Sequence, residues 1–163
     1  MSNNNYIVDA SNVQKTYRSN QNEVSALRGV DLQIKRGEMV AVMGPSGCGK
    51  TTLLNCLSGL DTIDGGEVLL EGESIHDMPD RKRTELRRSR MGFVFQSYNL
   101  LPVLTSVQNV ELPLIIGGAP RREARDQAKR MLGLVDLGNR LDHRPMELSG
   151  GEQQRVAIAR ALV

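Results

Sequence analysis

The residues best suited to chemistry lie in Gly44-Pro45-Ser46-Gly47-Cys48-Gly49-Lys50-Thr51-Thr52, which fits G-x-x-x-x-G-K-[ST], a phosphate-binding loop. Glycines at 44, 47 and 49 carry no Cβ, so the backbone can curl until several N–H groups converge on one anion. Lys50 sets a point positive charge where β- and γ-phosphates would lie, and the Thr51 hydroxyl is a ligand suited to Mg²⁺. An apolar β-type run, Met39-Val-Ala-Val-Met43, leads in, and a helical apolar pattern from Leu53 to Leu60 leads out. A helix beginning near Lys50 would add the partial positive charge of its unsatisfied N–H groups. This stretch is expected to bind the phosphates of a nucleotide.

A second constellation is Leu148-Ser149-Gly150-Gly151-Glu152-Gln153-Gln154, followed by Arg155 to Val163. Ser149-x-x-Glu152 has capping-box spacing and predicts a helix N-terminus, opened by two glycines that let a ligand approach the backbone. Read alone, the same residues also suit a simple helix cap.

The elements that must position these residues follow from patterning. Ile7 to Tyr17 and Val24 to Leu27 read as a hairpin about a polar turn at 18–23, and Val30, Leu32 and Ile34 alternate as a further half-buried antiparallel strand. Met39–Met43 is expected to be the strand that feeds the phosphate loop, and Gly59 the left-handed stop of the helix after it. Asp64-Gly65-Gly66 predicts a turn into a strand at Glu67–Glu71, and Met91–Phe95 a buried strand ending on Gln96. Beyond Ser97 the texture becomes helical: Ser106 is expected to cap a helix through Leu114 with Pro113 near its end, and Arg121 to Leu134 is amphipathic. Arg81, Lys82, Arg83, Arg87, Arg88 and Arg90 would suit nucleic acid, but no aromatic residues interleave them, so a solvated helix face is expected.

Composition narrows the class without choosing a function. The chain has 163 residues, 25% of them charged, a net charge of +2 and no apolar run long enough to span a membrane. The polar start Met1–Asn5 is not a secretory signal, so a cytoplasmic location is expected. Cys48 and Cys56 are expected to be reduced thiols, and no Cys/His cluster suggests a metal site of protein ligands alone.

Taken together, the two stretches and Gln96 resemble the motifs of the ATP-binding cassette (ABC) ATPases: Gly44–Thr51 the Walker A loop, Gln96 the Q-loop, and Leu148–Gln154 the signature motif. Tyr17 lies where that family has an aromatic residue stacking on adenine, although an aromatic core residue of a strand would read the same way. The resemblance implies an α/β P-loop NTPase core with an antiparallel β subdomain and a helical insert. It divides the chain into residues 1–96 (β subdomain and phosphate-loop core), 97–147 (helical insert) and 148–163 (signature motif and helix). It also implies ATP and Mg²⁺ as ligands, with Lys50 and Gln96 acting in catalysis and Thr51 and Gln96 as Mg²⁺ contacts. The expected assembly is a head-to-tail homodimer in which Ser149, Gly150 and Gly151 of one copy meet the ATP of the other. Transmembrane permease subunits would dock it on the cytoplasmic face of the membrane, with no nucleic acid involved.

Met43-Gly-Pro-Ser-Gly47, Ser58-Gly-Leu-Asp61, Met91-Gly-Phe-Val-Phe-Gln96, Asn99-Leu-Leu-Pro102 and Asn109-Val-Glu-Leu-Pro113 are similar to ATPase subunits of macrolide exporters and lipoprotein-releasing complexes. The sequence departs from the family in ending at Val163, before the Walker B strand, the catalytic Glu and the switch His that normally follow. These 163 residues are therefore expected to bind ATP and to hydrolyse it poorly, as a fragment of a longer ATPase. ABC-type ATPases of DNA repair or chromosome organisation are the alternative. They carry long coiled-coil or zinc-bearing inserts, whereas only 51 residues, Ser97 to Glu147, separate Gln96 from Leu148 here. A non-hydrolysing fragment that occupies half of a partner's dimer is a third reading.

Overall fold

The computed structural model describes residues 5–19 and 22–163. The chain forms two compact units, one running to Arg87 and the other from Arg88 to Val163.

In the first unit, β1 (Tyr6–Ser19) and β2 (Asn22–Lys35) form a long antiparallel pair; β3 (Gly65–Leu70) adds to the other edge of β1, and β4 (Glu73–Ser74) follows it, giving the order β2-β1-β3-β4. The tip of the first hairpin includes residues outside the described ones. β2 is continuous where the residue pattern suggested two strands. The reason is a bulge in β2: Val13 pairs with Val30 but Gln14 with Arg28, so Gly29, left-handed at φ +86, is an inserted residue. β1 carries a bulge of its own at Asn12, φ +50, whose N–H donates to Asp31 Oδ1 at 2.6 Å. An inserted residue reverses the alternation, so the inward positions step from Leu27 to Val30 in β2, as they step from Ala10 to Val13 in β1, and the period-2 signal breaks without the strand ending. Val68, Leu70, Ile75 and Met78 are buried in this unit, as are Leu53, Cys56 and Leu57 of helix α1 (Lys50–Leu57).

Helix α1 ends as its sequence suggests. Gly59 is left-handed at φ +65, its N–H donates to Cys56 O, and the Leu60 N–H reaches back to Asn55 O at 2.9 Å. These two bonds are a Schellman cap, which satisfies carbonyls the helix leaves open. Gly65 and Gly66, expected as a turn, instead begin β3.

Two expected strands are not formed. Met39–Met43 and Met91–Phe95 pair with no neighbour among the described residues, and Met39 and Met43 are 97% and 88% exposed. A parallel strand exists only through ladder bonds to its neighbours, and an apolar run without them has no reason to hold a strand geometry. In 91–95 the Phe93 and Phe95 rings instead lie nearly parallel, 6.0 Å apart.

Helix α2 (Asp80–Arg90) buries no residue. Arg83 pairs with Asp80, Lys82 with Glu73 at 2.7 Å, and Arg87 donates to Gly59 O at 2.8 Å. Much of its basic charge is thus spent locally, as on a solvated face. In the second unit, α3 (Ser106–Ile116), α4 (Arg121–Leu134) and α5 (Gly150–Ala161) enclose Val107, Val110, Ala128, Leu132, Leu137, Leu148, Val156 and Ala159. The cap of α3 is Thr105 rather than Ser106, and Pro113 lies inside the helix. The Thr105 hydroxyl has a reciprocal partner in Gln108, which Ser106 lacks; Ser106 instead donates to His143 O. Asn109 is buried and staples the preceding loop, donating to Leu101 O, Leu104 O and Thr105 O and accepting from the Leu101 N–H.

Candidate functional site

In the first unit the phosphate loop turns directly into α1. Gly49 occupies the N-cap in the left-handed conformation, φ +92, and its carbonyl accepts the first helical bond from the Leu53 N–H at 2.8 Å. No side chain caps α1 and its first turn holds no acidic residue. Its leading N–H groups and the positive end of its dipole therefore face outward unneutralised, which is what an anion needs. Gly44 to Cys48 and Thr51 are exposed, and Thr52 is half-buried. The Lys50 ammonium folds back over the loop, donating to Gly44 O at 2.9 Å and Pro45 O at 2.7 Å, with Cys48 Sγ 3.7 Å away. The loop thus satisfies its own lysine with carbonyl dipoles, and a phosphate oxyanion, carrying full charge, is the stronger acceptor. Cys48 is a free, exposed thiol and Cys56 a free, buried one.

Tyr17 lies on β1 in the same unit and is 43% exposed. Its hydroxyl donates to Asp61 Oδ2 at 2.7 Å and also meets Thr52 of α1. Lys15, buried, reaches Asp61 Oδ1 at 3.0 Å and Thr62 Oγ1 at 3.0 Å, and its ammonium stands 5.3 Å from the centre of the Tyr17 ring. The Tyr17 hydroxyl first, then Lys15 and the Thr62 N–H, hold the Asp61 carboxyl below its ordinary range against the opposing effect of burial. Burial works against the Lys15 charge, but Asp61 holds its pKa above the usual value. Lys15 carries no motif signal, and no ligand role was expected of Asp61. The hint available in sequence is that Asp61 closes the Ser58-Gly-Leu-Asp61 phrase just past the Gly59 stop.

The remaining motif residues lie in the second unit. Gln96 is exposed just beyond the Phe93–Phe95 pair. Two residues on, Tyr98 and Asn99 both take left-handed conformations, φ +61 and +48, which cost non-glycine residues about 1–2 kcal/mol each. Arg160 near the end of α5 holds that turn, donating to Asn99 O at 2.6 Å and Tyr98 O at 2.7 Å. At the other end of α5, the Tyr98 hydroxyl lies 3.5 Å from where a Cβ on Gly150 would stand.

The capping box at Ser149 forms in full. Ser149 Oγ accepts from the Glu152 N–H, and Glu152 Oε2 accepts from the Ser149 N–H at 2.8 Å. Gly150 and Gly151 are exposed in the first turn of the helix. The Ser149 N–H, then its hydroxyl, then Arg140 push the Glu152 carboxyl down to about 2. A depressed carboxyl stabilises the fold above its unfolded value of 4.5 and loses that contribution as pH falls towards about 2. Glu152→Gln should therefore melt below the parent at pH 6 and together with it at pH 2. A gap that persists at pH 2 would show that the carboxylate charge is not the cause.

Residues 27–163 match the family described as ABC transporter. This chain belongs to that family. It is 53% identical over 156 residues to an uncharacterised ABC transporter ATP-binding protein of Thermotoga maritima, covering 96% of this chain and 67% of that one. It is 47% identical to the lipoprotein-releasing system ATP-binding protein LolD of Porphyromonas gingivalis, over 96% of this chain and 70% of that one. It is also 48% identical to the macrolide export ATP-binding/permease protein MacB of Brucella melitensis, of which it covers 24%. Among solved structures, a dimeric post-hydrolysis state of the ATP-binding cassette MJ0796 bound to ADP and Pi superposes with TM-score 0.89 and 46% identity. That match covers 95% of this chain and 68% of the cassette.

The fold is accordingly that of an ABC ATPase cassette, an α/β P-loop NTPase, and the chain is similar throughout to ATP-binding subunits of ABC transporters. Members of the ABC family bind ATP and hydrolyse it. Among the described residues no helix is long and apolar enough to cross a membrane.

Proposed function

We propose that Gly44 to Thr52 hold the phosphates of ATP, with Lys50 exchanging its two carbonyl partners for β- and γ-phosphate oxygens. The observation that carries this reading is the uncapped α1, whose first-turn amides and neighbouring ammonium face one exposed loop. Mg²⁺ arrives with the phosphates, which supply oxygen ligands, and among the described residues no cluster of three acidic, His or Cys side chains competes for it. The exposed Thr51 hydroxyl fits as one protein ligand, and by family resemblance Gln96 is the other and also contacts the attacking water. Tyr17 offers its ring to the adenine.

Ser149, Gly150 and Gly151 serve a second copy in the head-to-tail arrangement implied by the family. Their helix end presents N–H groups and a positive dipole to the partner's γ-phosphate, so closure depends on that phosphate. Permease subunits in the membrane receive the resulting motion, and the likeness to a lipoprotein-releasing and a macrolide-export protein supports an export or lipoprotein-release setting. The 163 residues by themselves bind ATP and turn it over slowly, because the motifs they carry hold no carboxylate base for the attacking water. Loss of such a base costs roughly 10²–10⁴ in rate. Turnover within about tenfold of a full-length relative's would refute the slow turnover.

Cys48 provides the direct test of the binding site. Its thiol is exposed beside Lys50, so a maleimide adduct should fill the loop and block ATP, and saturating MgATP should slow labelling about tenfold or more, the usual sense of a ligand bound over a reactive thiol. Equal labelling with and without ATP would place the nucleotide elsewhere.

A further inference from the structure

We infer that Asp61, with Lys15 behind it, is a positioning residue for the nucleobase: it fixes the Tyr17 ring against the phosphate-loop helix, so that base and phosphates are read from one rigid frame. The inference rests on the proposed role of Tyr17 and extends it to Asp61 and Lys15, which lie outside the phosphate loop, Gln96 and the signature stretch.

A stacking platform is useful in proportion to how little it must be ordered when the base arrives. An exposed tyrosine on a strand is free to rotate about χ1, and each new contact would have to offset that freedom. Here the ring is tied down. Its hydroxyl donates to Asp61 Oδ2 at 2.7 Å and meets Thr52 in the first turn of α1. Asp61 stands just past the other end of the same helix, held by its own N–H donating to Asn55 O at 3.1 Å and by Lys15 at 3.0 Å. The phenol is therefore tied, through Asp61, to the far end of the helix whose N-terminus faces the phosphates. Lys15 also defines which side of the ring remains available. Its ammonium stands 5.3 Å from the ring centre, as in a cation–π contact, leaving the opposite face to a planar ligand.

Lys15 is almost fully buried and Asp61 half-buried, with side-chain exposures of 8% and 28%, so the carboxylate is held from behind by a fixed ammonium. A surface pair would be screened and mobile, and could not hold a ring.

The test compares ligands with and without a base on the full chain. MgATP and inorganic tripolyphosphate are titrated into the parent, Tyr17→Ala, Asp61→Ala and the double variant. Tyr17→Ala should weaken ATP about tenfold, as loss of one base–aromatic stack does. Asp61→Ala should weaken it about threefold to tenfold through the same ring, and the double variant no further than Tyr17→Ala. Tripolyphosphate should bind all four alike. If Asp61→Ala leaves ATP affinity intact while Tyr17→Ala does not, the positioning role is wrong and the platform stands. If Asp61→Ala weakens both ligands equally, Asp61 supports the loop itself and the inference fails. If Tyr17→Ala spares ATP, the platform fails and the inference with it.

Discussion

Lys50→Met is expected to weaken MgATP binding by about a hundredfold while leaving the nucleotide-free melting transition within about 0.5 kcal/mol of the parent. The two halves of this expectation come from the same geometry. The ammonium donates to Gly44 O and Pro45 O, both on exposed residues, so removing it returns those carbonyls to water and costs the fold little. Methionine has a similar reach and leaves the loop's shape alone. The nucleotide loses a charge-assisted donor, worth about 1.5–3 kcal/mol, at the place where its negative charge is densest. Isothermal titration of the two proteins checks the affinity, and a denaturant melt checks the fold. An unchanged affinity would mean that the phosphates do not reach Lys50. A large loss of stability would mean that the ammonium holds the loop together and does not wait for a ligand.

The parts of the molecule that could be read from residues alone are those whose geometry is set locally. Ser149 and Glu152 are three residues apart and form their capping box without help from elsewhere. Arg121 to Leu134 forms α4 over the range its amphipathic pattern indicates, and Gly59 ends α1 because no other residue takes that conformation as cheaply. The failures concern structure that depends on distant partners. Met39–Met43 and Met91–Phe95 have the apolar, β-favouring character of buried strands, but a strand is defined by its neighbours and neither segment has a ladder among the described residues. The bulge at Gly29 hid the continuity of β2, since one inserted residue inverts the pattern used to recognise a strand.

The candidate site divides the same way. The phosphate loop is contiguous, so residue types and spacing suffice to find it. The support of Tyr17 is not contiguous. Asp61 is 44 residues away from it and Lys15 is two positions earlier on the same strand, and only the fold shows that all three meet. The Arg160 clamp on Tyr98 and Asn99 spans still more chain, and it belongs to a helix whose other end carries the signature glycines. A motif search reports the groups that would touch ligand and omits those that hold them in place.

The second large effect separates two glycines of the same loop. Gly49→Ala is expected to cost about 3 kcal/mol or more of stability and to abolish measurable ATP binding, whereas Gly47→Ala should cost about 1–2 kcal/mol. Both residues are left-handed, at φ +92 and +79, so both pay the same kind of backbone strain. They differ in surroundings. A Cβ at Gly49 would stand 2.7 Å from Ala26 O and 3.5 Å from Leu27 Cδ2, against the backbone of β2, while a Cβ at Gly47 meets nothing within 4 Å. The strand cannot yield as a flexible side chain can, so the loop must move, and with it the first turn of α1 that faces the phosphates. Gly37→Ala supplies the control, since it is equally left-handed at φ +80, equally unobstructed, and outside the loop. It should match Gly47→Ala in stability yet leave ATP affinity unchanged. Thermal melts and MgATP titrations of the three variants decide the matter. Equal destabilisation by Gly49→Ala and Gly47→Ala would show that strain alone governs the loop and that its seat against β2 is incidental.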